Sequence, residues 1–161
     1  METSLHILTN PDPRLRQRSA EVTPEELAQP ETQAFLDELE KAMFAYDGVG
    51  IAAPQVGVFK RCIVVNAEGN GATVYCNPEI LEKSFRTAEG EEGCLSVPGV
   101  YGMVKRHKRV KVRAVTRDAK LVELDLDGLA AVVWQHEIDH LNGVLFIDKV
   151  TKYTEAGTSK L

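Results

Sequence analysis

The chain has 161 residues and a formal net charge of -5, with 43% hydrophobic and 27% charged residues. This length fits one domain, and the composition is that of an ordinary globular protein. The acidic balance argues against nucleic-acid binding, so DNA is not an expected partner. No apolar run reaches membrane-span length and the N-terminus lacks a signal-peptide core. Three cysteines are too few for a disulfide framework, which indicates a reducing, cytoplasmic compartment.

The N-terminal part of the chain predicts helices. Thr23 can cap a helix, and Glu26 can complete a capping box with it. Apolar residues then continue at approximate helical spacing as far as Tyr46, with an interruption near Pro30. We therefore predict a short turn followed by a main helix that ends before Gly48.

The middle of the chain predicts strands, at residues 62–65, 73–76, 80–85, 104–115 and 121–126. Strands gathered between helices at either end indicate an α+β fold. We expect a single domain over residues 1–161, with antiparallel β-sheets packed around a central helix that carries the HExxH pattern described next. An N-terminal helix and a flexible tail from about residue 150 complete this prediction.

The HExxH pattern lies in QHEIDHLNG, residues 135–143. His136 and His140 are one helical turn apart, so both imidazoles leave the same face of a helix that Asp127 is expected to cap. Two neutral imidazoles at this spacing can bind a transition metal. Glu137, beside the first histidine, can take a proton from metal-bound water.

A catalytic metal usually has three protein ligands and one water, so this site needs a third ligand. A metzincin protease would supply a histidine at the position that Phe146 occupies, and phenylalanine cannot bind metal. Little chain follows for another ligand-bearing helix. Upstream, Cys94 offers a thiolate, and one thiolate with the imidazoles of His136 and His140 suits zinc or ferrous iron.

A glycine-rich stretch, GVGIAAPQVG, occupies residues 48–57. Its glycine spacing is similar to a dinucleotide-binding fingerprint, but that motif follows a strand and opens a helix. This stretch follows a predicted helix and runs into Pro54. The dinucleotide interpretation therefore fails on context.

Three motifs in fixed order resemble those of the peptide deformylase family: GVGIAAPQ at residues 48–55, EGCLS at 92–96 and QHEIDHLNG at 135–143. The resemblance extends from PDPRLR at residues 11–16 to LFIDK at 145–149, nearly the whole chain. It implies a metal-dependent hydrolase that removes the N-formyl group from the formylmethionine of newly synthesised polypeptides and releases formate.

The resemblance also implies roles for individual residues. Metal-bound hydroxide would attack the formyl carbon, with Glu137 as general acid and base. The side-chain amide of Gln55 and the backbone N–H of Leu95 would stabilise the negative charge on the formyl oxygen. The implied cofactor is one divalent metal ion, natively Fe²⁺, with Zn²⁺, Ni²⁺ or Co²⁺ also compatible with the ligands.

The methionine side chain of such a substrate needs an apolar pocket beside the metal. Helical spacing places several apolar residues on the same face as His136, and the glycine-rich loop can add one more. The expected pocket walls are Val49, Leu129, Val132 and Val133. The backbone positions expected to hold the peptide in an extended pose are Gly50 and Gly93.

Two other interpretations stay open. A zinc peptidase would share HExxH, but it would need a ligand downstream of that motif. A non-catalytic, metal-stabilised binding module would close the site with a fourth protein ligand.

Where many bacterial deformylases carry an arginine after EGCLS, this chain has Tyr101 nearby, which leaves the contacts to the substrate backbone unpredicted.

The expected partners are N-formylmethionyl nascent peptides, and we expect a monomer. A basic run, KRHKRVKVR at residues 105–113, could meet ribosomal RNA, but the solvated face of a strand is the favoured interpretation. A bacterial, organellar or phage origin fits the sequence equally well.

Overall fold

The computed structural model describes residues 2–155, which form helices, short 3₁₀ helices and strands. The helices are α1 (Pro24–Leu27), α2 (Pro30–Ala45) and α3 (Gly128–Leu141). The strands are β1 (Gly50–Ala52), β2 (Cys62–Val65), β3 (Thr73–Lys83), β4 (Thr87–Cys94), β5 (Val97–His107), β6 (Arg109–Thr116), β7 (Leu121–Asp127) and β8 (Val150–Thr154). The 3₁₀ helices are Pro13–Arg16, Ala53–Val56 and Phe146–Asp148.

Two antiparallel sheets contact α3. One sheet has the strand order β1-β2-β3-β6-β7 and the other has the order β4-β5-β8. This arrangement confirms the α+β prediction. Among residues 2–155, no helix is long and apolar enough to span a membrane.

The N-terminal helices follow the sequence prediction. The Glu26 N–H donates to the Thr23 hydroxyl at 3.1 Å, and the Thr23 N–H donates to the Glu26 carboxylate at 3.0 Å. This capping box starts α1, and Pro30 then starts α2, which ends before Gly48 as expected. The apolar face of α2 packs against β1 and β2.

Two strand predictions were wrong in their boundaries. Residues 73–76 and 80–85, predicted as separate strands, belong mainly to the single strand β3, which is interrupted by a bulge where Asn77 adopts a φ of 49°. Residues 104–115, predicted as one strand, are split between β5 and β6 by a tight turn at Lys108. The apolar and basic alternation continues across this turn with no glycine or proline to mark it.

The sequence prediction did not include β1, β4 and β8. The first two lie in glycine-rich or acidic segments that have low strand propensity. We expected a flexible tail from about residue 150, but Val150–Thr154 form β8 and pair with β5. The rest of that predicted tail, residues 156–161, lies outside the described residues.

Helix α3 lies between the sheets and is buried along most of its length. Its apolar residues Ala131, Val133, Trp134 and Leu141 are at most 2% exposed. Asp127 occupies the N-cap position as predicted, but its side chain makes no capping hydrogen bond, so that part of the prediction was wrong. The helix is held by burial of its apolar surface on several sides rather than by a cap.

Cys62 and Cys76 face each other on the paired strands β2 and β3. Both side chains are buried, and their Sγ atoms lie 3.5 Å apart as free thiols. This placement agrees with the expectation that both residues belong to the core.

Candidate active site

The structure brings together the three predicted metal ligands. Helix α3 places the rings of His136 and His140 edge to face, with centroids 5.0 Å apart. The last residue of β4 is Cys94, whose Sγ lies 3.2 Å from His140 Nε2. One nitrogen of each histidine and the thiol sulfur all lie within 4.8 Å of one another. All three side chains are buried, at 8% exposure or less.

The unpaired atoms around this cluster fit a metal ion. Within residues 2–155, His136 Nε2 is buried and has no hydrogen-bond partner, and the same is true of both carboxylate oxygens of Glu137. Buried polar atoms in folded proteins almost always have a hydrogen-bond partner. A group of buried polar atoms without partners therefore marks a place for a ligand. One thiolate and two imidazoles leave a fourth coordination position for water.

The carboxyl group of Glu137 is fully buried beside His136. Burial raises the pKa of Glu137 to about 7. A carboxyl group that titrates near neutrality is suited to both accepting and donating a proton.

Strand β1 passes very close to Glu137 because it carries a glycine there. A Cβ atom at Gly50 would lie 2.7 Å from Glu137 Oε1 and 2.9 Å from Val133 Cγ1. Both contacts are shorter than ordinary van der Waals separations. The glycine therefore lets the backbone of β1 reach the carboxylate.

Burial lowers the pKa of His140 well below its ordinary value. His140 is therefore neutral around pH 7. A neutral imidazole is the form that binds a metal.

A buried ion pair orients His136, and sequence reasoning missed it. Glu92 Oε1 accepts a hydrogen bond from His136 Nδ1 at 2.8 Å, and Arg106 donates to both oxygens of Glu92 at 2.8 and 2.9 Å. Arg106 also donates to Asp139 at 2.7 Å. With Nδ1 held in this way, Nε2 of His136 is turned to the ligand cluster.

Glu92 stays ionised at neutral pH. Burial raises the pKa of Glu92, but the hydrogen bonds from Arg106 and His136 and the charge of Arg106 outweigh this effect and lower the pKa to about 2. Arg106 is 4% exposed, so the predicted solvated basic face at residues 105–113 is wrong at this position. A signal for Glu92 was present, since it is the first residue of the EGCLS motif that contains Cys94.

Gln55 lies in the 3₁₀ helix that follows β1 and is buried. Its Oε1 accepts the N–H of Ala52 at 2.9 Å, which fixes the orientation of the amide. Its Nε2 lies 3.1 Å from Ser96 Oγ and 3.7 Å from Cys94 Sγ. The amide N–H₂ group is therefore aimed at the ligand cluster.

The EGCLS segment wraps around the thiol of Cys94. Leu95 follows the end of β4, and the N–H of Ser96 lies 3.4 Å from Cys94 Sγ. The ring of Tyr101 packs closely against Gly93. A Cβ atom at that glycine would lie 2.6 Å from Tyr101 Cε1, so only glycine fits at this position.

The predicted pocket residues occupy different environments. Val133 is fully buried below Gly50, whereas Val132 and Val49 are half-buried in the same apolar cluster. Leu129 is 52% exposed, at the N-terminal end of α3.

Phe146, at the position where a metzincin would have a histidine, stacks on His136 with ring centroids 6.3 Å apart.

Comparison with known proteins gives consistent results. A family model described as polypeptide deformylase matches residues 4–156. A peptide deformylase of Thermotoga neapolitana is 48% identical over 139 residues, which cover 86% of this chain and 82% of the relative. A peptide deformylase of Halothermothrix orenii is 47% identical over 145 residues, which cover 89% of this chain and 92% of the relative.

Solved structures show the same likeness. The crystal structure of peptide deformylase from Thermotoga maritima has a TM-score of 0.87 and 42% identity, and the match covers 94% of this chain and 99% of that chain. A Met-Ala-Ser-bound class I type b peptide deformylase from Acinetobacter baumannii has a TM-score of 0.89 and 39% identity, with 93% and 100% covered. The chain, with its buried Cys-His-His cluster, belongs to the polypeptide deformylase family.

Proposed function

We propose that this enzyme removes the N-formyl group from the N-terminal formylmethionine of newly synthesised polypeptides. Membership of the polypeptide deformylase family makes the chain a metal-dependent hydrolase. The observation that carries the proposal is the cluster of Cys94, His136 and His140 beside the buried carboxylate of Glu137, which has no hydrogen-bond partner among residues 2–155.

Cys94, His136 and His140 would hold a divalent metal, which would supply a water of lowered pKa and polarise the formyl carbonyl. We propose Fe²⁺ as the native ion, with Zn²⁺, Ni²⁺ or Co²⁺ as replacements, because a thiolate and two imidazoles accept all of them. Glu92 and Arg106 keep the His136 ring in its binding orientation.

Residues of the chain then transfer the proton of the attacking water and stabilise the negative charge that develops on the formyl oxygen. Glu137 takes a proton from the attacking water and passes it to the departing amine, so that formamide and water become formate and a free amine. The amide of Gln55 and the backbone N–H of Leu95 donate to the formyl oxygen as it gains negative charge. The orientation of the Gln55 amide toward Cys94 supports this assignment.

The substrate peptide lies extended between two sheet edges in this proposal. Strands β1 and β4 are each at one edge of their sheet, and they carry Gly50 and Gly93 respectively. A peptide placed between them can pair with either backbone, as in strand addition. Its methionine side chain then enters a pocket whose proposed walls are Val49, Leu129, Val132 and Val133.

The substrate class follows from the family and from one relative. The Acinetobacter baumannii deformylase was solved with Met-Ala-Ser bound, and we extend this peptide to the present chain as the product of deformylation. The proposal places a monomeric enzyme in the cytoplasm, where nascent chains emerge. A ribosome contact through the exposed members of the basic run, such as Lys105 and Lys108, stays a secondary proposal.

Two observations speak against a metal-stabilised binding module. Within residues 2–155, no fourth Cys, His, Asp or Glu joins the cluster, as a closed structural site would require. The burial of a carboxylate at Glu137 without a partner is costly and has no structural benefit in a binding module. A zinc peptidase would need a metal ligand downstream of HExxH, where this chain has Phe146, and the reaction products test this alternative directly.

The experiment is formate release from N-formyl-Met-Ala-Ser by protein purified without oxygen and loaded with Fe²⁺. We expect one formate per peptide and intact internal peptide bonds. Cleavage at the Met-Ala or Ala-Ser bond would favour the peptidase. Absence of formate, from protein that contains one equivalent of metal, would overturn the proposed function.

A further inference from the structure

The two candidate histidine ligands are fixed in different ways. His136 donates through Nδ1 to Glu92 at 2.8 Å, so a side chain of β4 orients its ring. Within residues 2–155, His140 Nδ1 is buried and has no hydrogen-bond partner. The other nitrogen of His140 lies beside Cys94 Sγ, inside the ligand cluster. The position of the His140 ring therefore depends on the backbone that carries it.

That backbone lies at the end of α3, where His140 is the second-last residue. The Gly143 N–H donates to the His140 carbonyl at 3.1 Å, and the Val144 N–H donates to the Asp139 carbonyl at 2.9 Å. Because Gly143 has a φ of 74°, these two bonds form the Schellman turn typical of helix ends. The turn closes the helix locally, but helix ends fray unless other parts of the fold hold them.

The carbonyl of Leu141, the last residue of α3, accepts two hydrogen bonds from distant parts of the chain. One comes from the Ser19 N–H at 2.8 Å and the other from Arg61 Nη1 at 3.1 Å. Arg61 Nη1 also donates to the side-chain oxygen of Asn142 at 3.0 Å. The guanidinium thus contacts the two residues that directly follow His140. A cation is favoured there, because a helix C-terminus carries partial negative charge.

The Arg61 side chain is buried without an acidic partner. The residue is 7% exposed, and among residues 2–155 its only side-chain hydrogen bonds are those to Leu141 and Asn142. Burying a cation without a carboxylate beside it costs free energy. All the polar contacts that offset this cost are with the end of α3.

The backbone of Arg61 is itself fixed. Its N–H donates to the Ala20 carbonyl at 2.8 Å, and its carbonyl accepts the Asn77 N–H at 2.7 Å. Arg61 directly precedes β2, and Asn77 lies in β3. The guanidinium therefore joins the five-stranded sheet to the last turn of α3, as Glu92 joins the three-stranded sheet to His136.

We propose that Arg61 is a positioning residue for His140. By holding the Leu141 carbonyl and the Asn142 side chain, it fixes the last turn of α3 and with it the imidazole beside Cys94. This inference rests on the proposed function, because it assigns Arg61 to the metal site of that hydrolase. Loss of the contact should weaken metal binding by roughly 10–100-fold, as loss of a group that supports a metal ligand does.

The test replaces the guanidinium and measures the metal site directly. Arg61→Met keeps the length of the side chain but removes its charge and its donors. We expect the Zn²⁺ dissociation constant, measured by competition with a chelator, to rise about tenfold or more. The visible absorption of Co²⁺-loaded protein, which reports ligand geometry, should change as well. Arg61→Lys keeps a charge and a donor, so its affinity should return to within about threefold of the wild type.

Arg18→Met is the matched control. Arg18 Nη1 donates to the same Asn142 oxygen at 2.9 Å, but its side chain is exposed and it does not bond to the Leu141 carbonyl. This variant should change the Zn²⁺ affinity less than about twofold. If Arg61→Met does not fold, Asn142→Ala removes one of the two acceptors and should itself weaken Zn²⁺ binding about threefold.

A second pair of backgrounds tests whether Arg61 acts through His140. In His140→Ala, which lacks the imidazole, Arg61→Met should weaken Zn²⁺ binding less than about twofold further, because both changes act on one ligand. In His136→Ala, the effect of Arg61→Met should stay about tenfold. A general loss of stability would weaken binding equally in both backgrounds.

The outcomes separate this inference from the proposed function. An unchanged Zn²⁺ affinity and Co²⁺ spectrum in Arg61→Met would overturn the positioning role even if Tm falls. An equal loss in Arg18→Met, or a loss that persists in His140→Ala, would overturn it too. Formate release by the wild type would leave the function standing in each case. If the wild type binds Zn²⁺ and releases no formate, but Arg61→Met weakens the binding, the positioning role stands and the function fails.

Discussion

Two buried glutamates beside the same histidine have opposite protonation behaviour. Arg106 and His136 outweigh the effect of burial on Glu92 and lower its pKa to about 2, whereas burial without a cationic hydrogen-bond partner raises the pKa of Glu137 to about 7. Glu92 therefore acts as a fixed negative charge, and Glu137 can exchange a proton. This separation of pKa values between neighbouring carboxyl groups is typical of hydrolase sites.

Glu137→Gln tests the proton transfer. The amide has a similar shape but cannot take a proton, so turnover of formyl-Met-Ala-Ser should fall by about 10² or more. Metal content, measured by atomic emission, should stay at one equivalent because Glu137 is not a ligand in this assignment. Unchanged turnover would show that another group moves the proton.

Arg106→Ala tests the buried ion pair. Removal of the guanidinium leaves Glu92 charged and buried, so the free energy of unfolding should fall by about 3–5 kcal/mol at pH 7 in urea denaturation. Arg113→Ala is the matched control on β6. It removes an exposed pair with Glu79, at 41% and 57% side-chain exposure, and should cost less than about 1 kcal/mol.

The loss of stability in Arg106→Ala should depend on pH. The pKa of Glu92 is lowered in the folded state from 4.5 to about 2. Its stabilisation is therefore full above the unfolded pKa and is lost as the pH falls toward 2. The stability difference between wild type and Arg106→Ala should shrink over that window. A difference that stays constant down to pH 2 would contradict the ion-pair account.

Two of the three candidate metal ligands could be placed together from sequence because their spacing is local. His136 and His140 are fixed by one helical turn, and Cys94 is identified by the cysteine-containing motif. Glu92 and Arg106 could not be paired, because their contact depends on the register of β4 against β5. The sequence showed Arg106 only as one of several cations in a basic run.

At the scale of elements, the short strand β1 connects the fold to the chemistry. Its three residues pair with β2, and its first residue, Gly50, lies against Glu137. Propensity did not indicate a strand here, since glycine and alanine are poor strand formers. The strand exists because its residues are fully buried between α3 and β2.

Gly50→Ala tests this close approach. The added methyl group would lie 2.7 Å from Glu137 Oε1, so either the strand or the carboxylate must move. We expect kcat to fall at least tenfold with metal content unchanged. Gly102→Ala is equally crowded, at 2.6 Å from Val150, but away from Glu137. That variant should lose stability while its folded form keeps its turnover, and equal kcat losses in both would refute the argument.

At the scale of the whole molecule, the ligands come from both sides of the structure. Cys94 belongs to the three-stranded sheet, whereas His136 and His140 belong to α3, which also packs on the five-stranded sheet. A metal ion bound by all three residues would link these layers. The folded protein then gains stability from binding, because the unfolded chain holds no such site.

Metal removal should therefore destabilise the protein. A ligand present at a thousand times its Kd stabilises the folded state by about 4 kcal/mol, which corresponds to about 10 °C in Tm at this size. We expect calorimetry to show a fall of that order after chelation and recovery after Zn²⁺ is restored. The Tm of Glu137→Gln should fall and recover by the same amount, because Glu137 is not a ligand in this assignment. An unchanged Tm of the wild type after chelation would show that the metal does not join the layers.

The edge position of β4 has a further consequence, for self-association. Open sheet edges invite pairing between copies of a protein, and charged side chains at the edge discourage it. Strand β4 carries Glu89 and Glu91, whose carboxylates accept hydrogen bonds from Thr151 and Thr154 of β8 across the same sheet, so two copies that met edge to edge would bring four acidic side chains together. A formylated peptide N-terminus has no charge and escapes this repulsion. Under the proposed function, the acidic strand would therefore favour an incoming substrate over a second enzyme molecule.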